Sequence, residues 1–152
     1  MLEIERKFLV DKNKLPELQG GQHIIQSYLS EQPQIRVRLI TQSGIEKASM
    51  AYKTPPVGLT REEIEFIIPL KEAKELMAQT NVKLEKTRFL IGRFEIDVYG
   101  GKNDGLVVAE IELKSEDEEI GPLPVWIRHE VTGDKRYGNV TLAKEAINKS
   151  LI

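Results

Sequence analysis

Charged and apolar side chains alternate along segment after segment of this 152-residue chain, and a period of two leaves little besides β-sheet for most of it. The pattern opens at once, in Glu3-Ile4-Glu5-Arg6-Lys7. In a strand rising roughly 3.3 Å per residue, Glu3, Glu5 and Lys7 share one face, and Leu2, Ile4 and Phe8 take the other. The same alternation returns at 23–30 and at 35–39, where Arg36 and Arg38 sit between Ile35, Val37 and Leu39. It continues at 47–53, ending in Lys53, at 60–68 with Glu63 and Glu65, and at 82–90 with Lys86 and Arg88. Residues 92–99, with Glu95 and Asp97, and 107–113, with Glu110 and Glu112, complete eight predicted strands.

The breaks between them are equally legible. Pro16, Gly20 and Gly21 place a short helical turn and a loop over 11–22, Gly44 marks a hairpin, and Pro55, Pro56 and Gly58 form a loop. Ala73, Leu76 and Met77 recur at helical spacing over 71–79. Ser115 to Glu118 has the form of a capping box for a short acidic helix. Asn139 can cap a last helix whose Val140, Ala143 and Ile147 face inward. Trp126, between two apolar neighbours, reads as a core or lid anchor. The expectation is one α+β domain over 1–152: an eight-stranded antiparallel β-barrel, or a strongly curved sheet, with short helices on the connections.

Ordinary solvent faces mix in Ser, Thr, Asn and Gln, whereas here the polar face consists almost entirely of full charges. Eight carboxylates (Glu3, Glu5, Glu63, Glu65, Glu95, Asp97, Glu110, Glu112) face six cations (Lys7, Arg36, Arg38, Lys53, Lys86, Arg88). An eight-stranded barrel has room inside for one small ligand. Burying so many ions costs several kcal/mol each unless they are paired or meet a charged ligand. A hard divalent cation carrying a polyphosphate satisfies both signs at once, the cation on the carboxylates and the phosphates on the lysines and arginines. The aliphatic face then needs covering by helices or by a second subunit, and a homodimer is one such arrangement.

Other chemistries find little support. There is no cysteine, which removes thiolate metal sites and cysteine nucleophiles and fits a reducing compartment. His23 and His129 lack metal-ligand spacing. A net charge of -2 offers no general attraction to nucleic acid or to an anionic membrane. No apolar run approaches the roughly 20 residues of a membrane span. With the first strand beginning at residue 2 there is no space for a leader, and a cytoplasmic protein is expected.

The opening EIERK matches the ExExK signature of the CYTH, or triphosphate tunnel metalloenzyme, superfamily. The chain resembles that family in six further pieces in order: QSYL at 26–29, RVR at 36–38, the strand ending in Lys53, REEIEF at 61–66, KTR at 86–88 and AEIE at 109–112. VTGDKRYGN at 131–139 is similar to its short bacterial branch. The resemblance implies a barrel whose tunnel binds a triphosphate group with Mg2+ or Mn2+. On that basis Glu3, Glu5, Glu110 and Glu112, with Glu65 as a further candidate, are metal ligands. Lys7, Arg36, Arg38, Lys53, Lys86 and Arg88 are phosphate-binding cations, a role the planar guanidinium suits because it grips two oxygens together. Lys7 is also the candidate for positioning or deprotonating the attacking water, and Tyr28 on a facing strand either tunes it or is a simple hydrogen-bonded lumen residue. The implied activity is hydrolysis of inorganic triphosphate. Hydrolysis of nucleoside or thiamine triphosphate, cyclisation of ATP, and non-catalytic polyphosphate binding are the alternatives. The roles of Arg61, Glu63, Asp97, Lys135 and Arg136 stay open.

Overall fold

The computed structural model describes residues 1–152. Eight strands close into an antiparallel barrel: β1 (Leu2–Val10), β2 (Gln22–Glu31), β3 (Gln34–Gln42), β4 (Ile45–Lys53), β5 (Thr60–Ile68), β6 (Lys83–Ile91), β7 (Phe94–Tyr99) and β8 (Val107–Glu112). Around the ring the order is β5-β4-β3-β2-β6-β7-β8-β1, with β1 returning to β5. Closure removes the exposed edges an open curved sheet would leave. The final contact is short: β1 and β5 pair only through Leu2 with Glu62, Glu3 with Arg61 and Ile4 with Thr60, whereas β3 and β4 pair over nine positions.

Local chemistry sets the corners. The β3–β4 hairpin turns through Ser43 and Gly44, both at positive φ, which is the two-residue turn whose twist matches the flanking strands. The period-2 pattern then sends Lys7, Arg38, Lys86, Asp97 and Glu110 into the lumen and Phe8, Val37, Ile96 and Ile111 outward.

The outward residues are covered piecemeal. Helix α1 (Leu70–Met77) lays Ala73 and Met77 over Val37 and Ala48 on β3 and β4. Trp126 packs with Val10, Ile96, Val107 and Ala109, its ring edge-on to Phe94 with centroids 5.2 Å apart, so it is a core anchor. Phe8, Ile111 and Leu113 form a third outer cluster with Ile4, Leu59 and Ile120. Tyr52, Ile64 and Phe66, on β4 and β5, remain exposed.

One end of the lumen is plugged. Leu9, Tyr28, Leu84, Tyr99 and Val108 continue the lumenal rows and pack against Val131, Tyr137, Leu142, Ala143 and Ile147 of the C-terminal segment. Asn103 locks that segment in place: its amide donates to the Leu142 carbonyl at 2.8 Å and its carbonyl accepts from the Ile147 N–H at 2.9 Å. Charged residues thus occupy the middle of the barrel, with an apolar floor beneath them.

Three local expectations are corrected. A ninth strand, β9 (Ile127–Glu130), runs along part of β1, and it is too short and too polar to show a period. Residues 115–118 form a turn and not a helix, because Glu118 accepts from the Lys114 N–H at 2.7 Å and binds Arg93, ending any helical continuation. The last helix, α2 (Asn139–Lys144), is capped at Gly138, while Asn139 accepts from the Tyr99 hydroxyl; Ile147 lies beyond the helix but is buried.

Candidate active site

Every one of the six lumenal cations is held by a defined partner. Lys53, at the end of β4, sits between Glu3 at 3.1 Å and Glu63 at 3.0 Å. Arg36 pairs with Glu65 at 2.8 Å, and Lys7 lies 3.5 Å from Glu110 while donating to the Tyr137 carbonyl at 3.1 Å. Lys86 is 2.8 Å from Asp97, and Arg88 forms two parallel hydrogen bonds to the same carboxylate at 2.8 and 2.9 Å and a third to Glu95 at 3.0 Å. Arg38 alone is held by a neutral group, its Nε and Nη2 donating to the Gln26 carbonyl at 3.2 and 3.0 Å.

The strand register explains these pairings. Lys7 faces Glu110 and Glu5 faces Glu112 across β1–β8, Arg88 faces Asp97 across β6–β7, and Lys53 faces Glu63 across β4–β5. Opposite charges in directly opposed positions attract, as at Lys7–Glu110, Arg88–Asp97 and Lys53–Glu63, whereas Glu5 opposite Glu112 and Glu95 opposite Glu110 set like charges against each other.

A cavity of about 620 Å³ opens beside this belt and is lined by Glu5, Lys7, Tyr28, Arg36, Lys53 and Arg61, with Lys135 at its outer part. Tyr28, Pro55, Pro56 and Val140 add apolar wall to it. Arg38, Lys86, Arg88 and Glu110 belong to the same belt but do not line this cavity. Glu65 and Glu112 are exposed near the rim, where Glu112 accepts from the Ile4 N–H at 3.0 Å.

The carboxylates divide into two electrostatic kinds. Burial, then the neighbouring Glu110 and Glu3 carboxylates, push Glu5 well above the ordinary value. Glu3 is also raised, chiefly by burial and by Glu63. Burial acts on Glu110 in the same direction but is outweighed by Lys7 and Lys86, which bring it down to about 2. Asp97, completely buried, is held below the usual carboxylate range by Lys86 and Arg88 against the penalty of burial. Among the cations, burial and the flanking Arg88 and Arg38 push Lys86 down to about 8 despite Asp97. Burial lowers Lys7 too, but Glu110, Glu5 and Asp97 overcome it, and its net shift is upward. Lys7 is therefore an ammonium at neutral pH, which favours holding an anion or a water over removing a proton.

The donor set fits a hard divalent cation. The candidate ligands are all carboxylates, Glu5 stands against two other acids, and one buried oxygen of Glu110 makes no hydrogen bond, with only the Lys7 ammonium 3.5 Å from it. No three carboxylates or histidines already converge on one point, however. Glu5 and Glu110 are neighbours, Glu3 is turned to Lys53, and Glu65 and Glu112 are engaged by Arg36 and the Ile4 N–H.

Sequence reasoning left Arg61, Glu63, Glu95, Asp97 and Gln26 of this network without a role. Asp97 was visible on the charged face, but nothing in the sequence showed that it would serve both Lys86 and Arg88. Gln26 is fully buried and bonded to Arg38 and Tyr28; its signal was its place in the lumenal row of β2, two residues before Tyr28.

Residues 1–125 match the CYTH domain. The chain is 36% identical over 150 residues to an inorganic triphosphatase of Acetivibrio thermocellus, covering 93% of each chain. It is also 36% identical over 154 residues to an inorganic triphosphatase of Nitrosomonas europaea, covering 94% of this chain and 97% of that one. Among solved structures, the inorganic triphosphatase NE1496 superposes with a TM-score of 0.63 at 34% identity, over 93% of both chains.

Proposed function

Since this chain belongs to the CYTH domain family, we propose that it hydrolyses inorganic triphosphate to diphosphate and phosphate inside the barrel. Two relatives covered almost end to end are inorganic triphosphatases. The observation that carries the reading is the cavity itself, where the cations Lys7, Arg36, Lys53 and Arg61 converge on one space beside Glu5.

The chain's own residues divide the work. Arg36 and Arg38 on β3, Lys53 on β4, and Lys86 and Arg88 on β6 grip the phosphate oxygens and stabilise the charge that spreads over the transferred group. Lys7, pinned between Glu110 and the Tyr137 carbonyl, directs its ammonium to the terminal phosphate or to the attacking water. Tyr28 lies beside it in the same cavity. Water adds to the terminal phosphorus, the anhydride P–O bond breaks in line, and diphosphate leaves with the bridging oxygen. Glu5 and Glu110, with Glu3, Glu65 and Glu112 turning from their present partners, would hold Mg2+ or Mn2+, which when bound neutralises the phosphate chain and acidifies water.

No helix is long and apolar enough to cross a membrane. The deciding assay measures phosphate release from triphosphate, ATP, thiamine triphosphate and diphosphate in parallel, with Mg2+, Mn2+ or EDTA. Release from triphosphate that stops in EDTA is expected. Preference for ATP or thiamine triphosphate would overturn the substrate assignment, and tight triphosphate binding without release would make the protein a binding module.

A further inference from the structure

Arg38 differs from the other five lumenal cations in that its hydrogen bonds go to an uncharged acceptor. Lys7, Arg36, Lys53, Lys86 and Arg88 each have a carboxylate within 3.5 Å. Arg38 has only the Gln26 carbonyl, and its charged neighbours include Arg36 and Arg88, so burial and like charge pull its pKa down to about 10. It stays protonated at neutral pH, and its positive charge is not cancelled by any acid that it touches.

Gln26 is completely buried, and the direction of its amide is fixed by chemistry. A guanidinium can only donate, so the carbonyl oxygen must face Arg38 and the amide nitrogen must face Tyr28, to whose hydroxyl oxygen it donates at 2.9 Å. Tyr28 accepts there and keeps its own proton free. Tyr28 also lines the cavity with Lys7 and Glu5.

We propose that Gln26 is a positioning residue for anion binding: it orients Arg38 without neutralising it and leaves the Tyr28 hydroxyl proton to be donated to a bound phosphate oxygen. Glutamate, of nearly the same shape, is the wrong residue here. It would form an ion pair with Arg38 and accept a hydrogen bond from the Tyr28 hydroxyl, withdrawing two groups from the ligand. Leucine would release both groups without cancelling any charge.

This inference rests on triphosphate being the ligand, and the test separates the two. Calorimetric titration with triphosphate in EDTA reads binding without turnover, and steady-state kinetics with Mg2+ reads KM and kcat separately. Gln26→Glu is expected to bind triphosphate about tenfold or more weakly than wild type, the worth of one charge-assisted hydrogen bond, with KM rising in parallel and the thermal midpoint maintained. Gln26→Leu is expected to lose less affinity but to lower kcat, because the charge of Arg38 survives while its orientation does not. Wild-type affinity in Gln26→Glu would overturn the assignment. Equal losses of affinity in both variants, tracking a fall in thermal midpoint, would reduce Gln26 to a packing residue. A wild-type chain that does not bind triphosphate would overturn the function proposed above, and this inference with it.

Discussion

Glu5→Gln is expected to lower triphosphate hydrolysis by about a hundred- to a thousandfold while leaving the protein as stable as wild type or more so. The two effects have opposite signs because the Glu5 carboxylate is poorly accommodated without a ligand: it is crowded by Glu110 and Glu3, and burial opposes its ionisation. An amide of the same shape relieves that crowding. It also removes a negative oxygen donor from the place where the phosphate chain must be neutralised. Phosphate release and the denaturant midpoint of the same preparation check both halves. Near wild-type turnover at saturating Mg2+ would take Glu5 out of the site, and a large loss of stability would contradict the electrostatic account.

Asp97→Asn has its largest effect on the fold. Asp97 is fully buried and serves two cations, Lys86 at 2.8 Å and Arg88 through two hydrogen bonds. Removing its charge leaves an ammonium and a guanidinium in the lumen without that counter-charge. Breaking one side of such a network costs about 3–5 kcal/mol. The pH dependence follows from the direction of the shift. Because folding depresses the Asp97 pKa, its stabilisation is present above the ordinary carboxylate value of about 4 and is lost as the pH falls below it. The gap between wild type and Asp97→Asn is therefore expected to be full at pH 7 and to narrow below about pH 4. Urea unfolding at several pH values reads this directly, and a gap that is small or independent of pH would contradict it.

The strands and their lumenal rows were legible in the sequence because a period of two is a local property, readable in five or six consecutive residues. So was α1, from Ala73 and Met77. What the sequence could not show was which charges meet. Lys53 bridges Glu3 and Glu63, and Lys7 reaches both Glu110 and the Tyr137 carbonyl; these depend on register and closure between segments far apart in the chain. The same holds for the plug, since nothing near Asn103 announces that its amide will clamp the backbone of Leu142 and Ile147. Gln26 was missed for a different reason. Among full charges a neutral amide looks incidental, and its importance emerges only when the other cations are seen to have acidic partners. The capping-box reading at 115–118 failed because Glu118 found stronger partners in Arg93 and the Lys114 N–H.

The ring closes on itself through three residue pairs, and the middle pair is Glu3 opposite Arg61. Opening a protein locally costs less where fewer hydrogen bonds and buried contacts must be given up. Hydrogen exchange is therefore expected to be fastest, within the barrel wall, along Leu2–Ile4 and Thr60–Glu62, each such opening carrying Glu3 away from Lys53. The weakest stitch in the wall thus includes the carboxylate that holds Lys53, and the barrel is expected to loosen sideways, at this seam, before it unfolds.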